Sequence, residues 1–242
     1  NRFDYWKRME FTEEQWKGLA EHAKEKNIIF LSSAFSSKAI EILKKIDIPA
    51  WKIGSGEFWS NQLFDLMIET GKPLWISTGM SSWKEIDDVV AKMQKLKYPF
   101  SLLQCTSRYP TDLSEVGINV ISEMKKKYGC TVGLSDHSGS IFPSLQAMAC
   151  GAKLLEVHVT FNKGMFGPDT SSSLTIEDLS LLVKARDAFF QMNKNPVDKD
   201  VLSKELSSTR ALFSKSIALK KDLSSGSILR EEDLITKKPG TG

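Results

Sequence analysis

The chain has 242 residues, 41% hydrophobic and 26% charged, with a formal net charge of +3, the profile of an ordinary globular protein. Lys and Glu are mixed along its length, so no basic face argues for nucleic acid, and no apolar run approaches the ~18 residues that would span a membrane. The cysteines Cys105, Cys130 and Cys150 are an odd number in apolar segments and read as buried thiols in a reducing, cytoplasmic setting rather than a disulfide framework.

In chain order, the first patterned stretch is the charged helix EEQWKGLAEHAKEK, whose His22 reads as solvated surface. Apolar or β-branched runs then recur at 28–35 (IIFLSSAF), 49–55, 73–79, 100–106, 131–136 and 153–160. Between them lie stretches with helical spacing at 37–46, 61–70, 82–96, 116–128 and 141–150, and a last one at 175–191 with Thr175 as its N-cap. Strands alternating with helices make βαβ units and a parallel sheet. Nearly continuous apolar strands fit a sheet covered by helices. Every strand ends in hydroxyls, glycines or ionisable groups. In an open doubly wound sheet only the strands at the switch point feed a site, whereas in a (β/α)8 barrel all of them can. The expectation is an α/β fold: a TIM barrel over 1–193 whose first two strands precede Asn1, so that the chain is incomplete at its N-terminus. Residues 194–209 are polar and read as a linker, and 210–242 hold two strand-like pieces around a Ser-Ser-Gly turn, the start of a small β module that the chain does not close.

Walker, C-x-x-C, H-E-x-x-H and G-x-S-x-G motifs are absent. Ser135-Asp136-His137 does not make a hydrolytic triad, because adjacent strand residues point to opposite faces. His137 and His158 end consecutive strands, ~5 Å apart in a sheet, and two imidazoles with a carboxylate and water suit Mn²⁺, Fe²⁺ or Zn²⁺. Lys52, in WKIGSGE, lies inside an apolar strand and needs an anion there. With hydroxyls at Ser33, Ser55, Ser77 and Ser135 on the same rim, it makes a phosphate cradle. Gly167-Pro168-Asp169 is a turn that can carry a carboxylate back over the site.

The strings KIGSGE, ISTGM, LLQCTSRYP, GLSDHS, GAKLLEVHVTF and GPDTSSSLTIEDL, in this order and spacing, resemble the sialic acid synthase (N-acetylneuraminate synthase) family over nearly the whole chain. The tail resembles the start of that family's antifreeze-like (SAF) module. The resemblance implies a metal-dependent condensation of phosphoenolpyruvate with an N-acylated amino sugar, giving a nine-carbon 2-keto acid and phosphate. It implies His137 and His158 as ligands of a divalent ion, Mn²⁺ first, with Mg²⁺ or Co²⁺ as alternatives. Lys52, Ser33, Ser55, Ser77, Ser107 and Ser135 would bind phosphoenolpyruvate, and Glu57, Tyr109 and Asp169 the sugar. Lys52, Glu57, His137 and His158 would be catalytic. It also implies a domain-swapped homodimer in which the later part of the module supplies an Arg to the partner's site. Two features depart from the family. Thr170 stands where relatives read His, leaving N-acetylmannosamine, legionaminic and pseudaminic precursors all open, and the strands that carry a further Glu and Lys are absent. The rival readings are another phosphoenolpyruvate-dependent sugar-acid synthase, which would need more basic residues at the barrel mouth, and an inactive carbohydrate-binding or assembly barrel.

Overall fold

The structure, a computed structural model, describes residues 2–241. Its helices are α1 (Arg2–Arg8), α2 (Glu13–Glu25), α3 (Ser37–Ile46), α4 (Asn61–Ile68), α5 (Trp83–Lys95), α6 (Ile118–Tyr128), α7 (Phe142–Ala149), α8 (Ile176–Lys194), α9 (Lys199–Glu205) and α10 (Ser207–Phe213). Its strands are β1 (Trp51–Ile53), β2 (Leu74–Ser77), β3 (Phe100–Cys105), β4 (Thr131–Asp136), β5 (Leu155–Val159), β6 (Ser173–Leu174), β7 (Ser216–Leu219) and β8 (Leu234–Lys237). The chain divides into two units between Phe189 and Phe190.

The first unit holds a parallel sheet in the order β1-β2-β3-β4-β5-β6. The order never reverses, so this is not a doubly wound sheet. The sheet also curls: Lys52 Nζ on β1 lies 3.2 Å from the Glu156 carboxylate on β5, although four flat strand spacings would hold those strands ~19 Å apart. Alternate residues of the strands, among them Trp51, Ile53, Leu74, Ile76, Leu102, Val132 and Leu134, form one core with the apolar stripes of α3 to α7, such as Leu43, Phe64, Val90, Ile121 and Ala147. The opposite face turns inward. There a Cβ on Gly133 would stand 2.3 Å from the Leu154 carbonyl oxygen, so glycine permits the tight approach between β4 and the segment leading into β5. Local signals agree with the helices. Ser82 and Glu85 form a capping box on α5, and Thr175 and Asp178 bond reciprocally at the start of α8.

Three expectations change. The run at 28–35 is not a strand; only Ser33 bridges Lys52, and Ile28 and Ile29 are 65% and 74% exposed. A strand exists only where a neighbour completes its ladder. Residues 173–174, not foreseen as a strand, pair with β5 as β6. Of the cysteines, all free, only Cys105 is buried; Cys130 is half-buried and Cys150, at the C-terminal end of α7, is exposed.

In the second unit, β7 and β8 pair antiparallel, and Gly226, at φ 86°, turns the chain between them. The stretch 194–209 carries α9 and the first three residues of α10. Among the described residues 190–241 none is buried. No helix among the described residues is long and apolar enough to cross a membrane.

Candidate active site

Residues two apart on a strand share a face, and the parallel register carries that face across the sheet. Lys52 is level with Trp75, Ser77 with Leu103, Cys105 with Ser135, and Ser135 with Glu156. The inner face at the carboxyl ends of the strands is therefore polar. It lines a cavity of about 590 Å³ with Ser33, Lys52, Ser55, Ser77, Cys105, Ser107, Tyr109, Ser135, His137, Glu156 and His158 on its wall.

Lys52, 9% exposed, donates to Ser77 Oγ at 2.9 Å and to the Ile53 carbonyl at 3.2 Å. A buried ammonium needs a counter-charge, and Glu156 supplies it while accepting the Ser135 hydroxyl at 2.5 Å. Ser55 Oγ accepts the Gly79 N–H at 3.0 Å. A Cβ on Gly79 would fall 2.3 Å from Ser107 Oγ and 2.7 Å from Cys105 Sγ, so glycine lets these strand ends converge.

The imidazoles of His137 and His158 stand 5.2 Å apart between centroids, with the Tyr109 ring 4.3 Å from the first and 5.8 Å from the second. His137 Nδ1 faces the Thr106 carbonyl at 3.2 Å, and its Nε2 faces the Tyr109 hydroxyl at 3.1 Å. A carbonyl only accepts, which assigns the proton to Nδ1 and leaves the Nε2 lone pair to the phenol. Burial pushes the Tyr109 phenol above its ordinary range, so it keeps that proton. Burial, and then the neighbouring His137, push His158 below the usual imidazole range, and the Asp169 carboxylate lies 3.7 Å from its Nδ1. Two such imidazoles fit a borderline divalent ion, and a carbonyl or carboxylate behind Nδ1 is what orients a ligating histidine. Among the described residues no group of three or more His, Cys, Asp and Glu is placed to hold a metal. Water or substrate oxygens would complete any coordination.

Asp136 points away from the cavity and takes the Ser138 hydroxyl at 2.8 Å, while Ser135 turns to Glu156, so Ser135, Asp136 and His137 form no relay. Lys163, in the loop between β5 and β6, donates to the Gly139 carbonyl at 3.0 Å and to the Ser173 carbonyl, strapping together the loops that follow β4 and precede β6. Of the residues expected at the site, Glu57 sits in the single 3-10 turn Ser55–Glu57 and does not line the cavity, and Asp169 reaches it through His158 alone. Two residues of the wall escaped the sequence reading. Glu156 precedes His158 by two positions on the same face, a period-2 signal that would have found it. Cys105 shares its face with Leu103 and was read only as a core thiol.

The pattern of the NeuB family matches residues 1–197. The N,N'-diacetyllegionaminic acid synthase of Campylobacter jejuni is 33% identical over 93% of this chain and 68% of its own length. The human N-acetylneuraminate-9-phosphate synthase is 34% identical over 96% of this chain and 64% of its own length. Among solved structures, the N-acetylneuraminic acid synthetase of Leptospira borgpetersenii superposes with a TM-score of 0.76 at 29% identity, over 83% of this chain and 71% of that one. The chain thus spans about two thirds of the length of these relatives. With the family pattern running through the sheet and every residue of the cavity wall, the chain belongs to the NeuB family.

Proposed function

We propose that the cavity condenses phosphoenolpyruvate with an N-acylated amino sugar and water, yielding a nonulosonic acid and phosphate. The observation that carries this reading is one buried ammonium, Lys52, tied to Ser77 and Glu156 beside a pair of imidazoles. In this reading Lys52 and the hydroxyls of Ser33, Ser55, Ser77, Ser107 and Ser135 receive the phosphate and carboxylate of phosphoenolpyruvate. Its C3 forms the new bond to the aldehyde carbon of the open-chain sugar, water adds to C2, and phosphate leaves with the C2–O bond electrons. Glu156 lies within reach of Lys52 and Ser135 and takes up the proton that water sheds. Tyr109 and Asp169 meet the sugar, whereas Glu57, off the cavity wall, is given no contact with it. His137 and His158 would hold a divalent ion, Mn²⁺ in preference to Mg²⁺ or Co²⁺, which supplies a Lewis acid to the sugar carbonyl.

The same reading makes the curled sheet part of a (β/α)8 barrel and the β7–β8 unit the start of an SAF module, working in a domain-swapped dimer. The support is the sequential strand order and the likeness to the Leptospira synthetase. The test is phosphate release from phosphoenolpyruvate with Mn²⁺ and a panel of N-acylated hexoses, with the product mass read in parallel. Sugar-dependent phosphate release with a product heavier than the sugar by the pyruvate unit supports the proposal. Absence of turnover across the panel with metal and phosphoenolpyruvate bound favours the inactive-barrel reading.

A further inference from the structure

Thr111 is 5% exposed and belongs to neither the cavity wall nor the sheet. It closes the loop that follows β3, and it meets His137 once directly and once through the Thr106 carbonyl. Its backbone N–H donates to the His137 carbonyl at 3.0 Å. Its hydroxyl lies 2.8 Å from the Arg108 carbonyl and 3.0 Å from the Thr106 carbonyl, one proton serving both in a three-centre bond. The Thr106 carbonyl faces His137 Nδ1 at 3.2 Å, nearer than the Cys105 Sγ at 3.8 Å. Tyr109, whose hydroxyl faces His137 Nε2, follows Arg108 directly in the same loop, two residues before Thr111. Both ring nitrogens of His137 are thus met by groups of one loop, and the Thr111 hydroxyl bonds the carbonyl at Nδ1 and the carbonyl that precedes Tyr109. Serving this ring does not exhaust the carbonyl's own anchors: it also accepts the Arg108 N–H at 2.9 Å, and Thr106 Oγ1 is tied to the Glu115 carbonyl at 2.7 Å.

We infer that Thr111 is the positioning residue of His137: its hydroxyl fixes the loop so that the ring keeps its proton on Nδ1 and turns Nε2 toward the cavity. A neutral imidazole has two tautomers, and the hydrogen bond at one nitrogen selects which is present. Thr111→Val keeps the shape and removes the hydroxyl, placing a methyl against two carbonyls. The Thr106 carbonyl then shifts, and the ring loses the acceptor that selects its tautomer.

The inference rests on the reading above only for its consequence in metal binding. Its test is therefore made first on the full chain without metal or substrate, at a pH well above the ordinary imidazole range. Long-range proton–nitrogen spectra of the His137 ring are expected to show the Nδ1–H tautomer in the wild type and in Thr111→Ser, and a mixture of tautomers in folded Thr111→Val. With Mn²⁺ added, Thr111→Val is expected to bind it about 10–100-fold more weakly, the range seen when a ligand's orienting partner is lost. An unchanged His137 spectrum in folded Thr111→Val overturns the inference, as does a wild-type ring protonated on Nε2 or a Thr111→Ser spectrum as altered as that of Val. Should Thr111→Val not fold, Thr111→Ala is read in the same way. If neither folds, the hydroxyl serves the fold rather than the ring, and the inference fails. The tautomer result stands or falls whatever the sugar panel shows.

Discussion

Lys52, Ser77, Ser135 and His137 are 9%, 2%, 3% and 6% exposed, and each sits on or just past a strand. Tyr109 is 50% exposed and the Asp169 side chain 45%, and both ride on loops. The first set is the floor of the cavity. Its positions follow from register, so a floor residue moves only if the sheet moves. The second is the rim, where Asp169 is held by its 3.7 Å approach to His158 and Tyr109 by its contacts with the two imidazoles. In the proposed reaction, a floor of this kind suits the half that stays constant, phosphoenolpyruvate. A rim on loops suits the half that varies, the sugar.

The contrast is tested most severely at His137. Removing one of two nitrogen donors in His137→Ala should lower Mn²⁺ affinity by at least the ~10–100-fold that follows loss of a supporting partner, with turnover falling alongside. The melting temperature should barely move, because residues at the carboxyl ends of such strands serve function more than stability. Equilibrium dialysis with Mn²⁺ and a thermal melt check both halves. A variant with full metal and full turnover, or one that unfolds, would return His137 to the role of a core histidine.

Lys52→Ala is the next largest. It should keep Mn²⁺ but raise the KM for phosphoenolpyruvate by about 10–150-fold, from the ~1.5–3 kcal/mol of a hydrogen bond to a charged group. The KM for the sugar should stay close to its wild-type value. At the rim the order inverts. Asp169→Asn should raise the sugar KM by about 2–13-fold, for a contact of ~0.5–1.5 kcal/mol, and leave phosphoenolpyruvate unaffected. Steady-state kinetics with each substrate varied in turn separate the two, and equal effects on both substrates in either variant would erase the distinction between floor and rim.

The smallest effect lies away from both. Lys127 and then Tyr128 bond Asp87 at the contact of α5 and α6 and hold its carboxyl below the ordinary carboxylate range. An acid whose folded pKa is depressed contributes stability above its unfolded value of ~3.9, and that contribution fades as pH falls through the folded value. Asp87→Asn should therefore flatten the acid limb of the stability curve slightly, leaving both substrates' KM values alone. Urea melts between neutral and acid pH measure it, and a change in either KM would mean that charge removal anywhere on the surface mimics the rim.

The β1 to β5 strands and the helices between them were legible because each apolar stripe met the partner its period implied. The amphipathic 82–96 became α5, and 131–136 became β4. The run IIFLSSAF has as strong a local signal as β3, yet it pairs only at Ser33, because a ladder is a property of two segments and not of one. The two residues of β6 are too short to show a period. In the site, the hydroxyls and histidines were visible as strand-end types. Glu156 stands at a strand end in the sequence, but its role comes from the curl that brings β5 against Lys52 on β1. Thr111 has no motif at all; its role comes from where a loop folds back.

In the proposed reaction, the floor breaks the carbon–oxygen bond of phosphoenolpyruvate while a carbon–carbon bond forms. The most direct measurement places a heavy-oxygen label in the bridging position of phosphoenolpyruvate and follows it through one turnover with Mn²⁺ and the accepted sugar. The label is expected in inorganic phosphate. Label retained in the keto acid would contradict it.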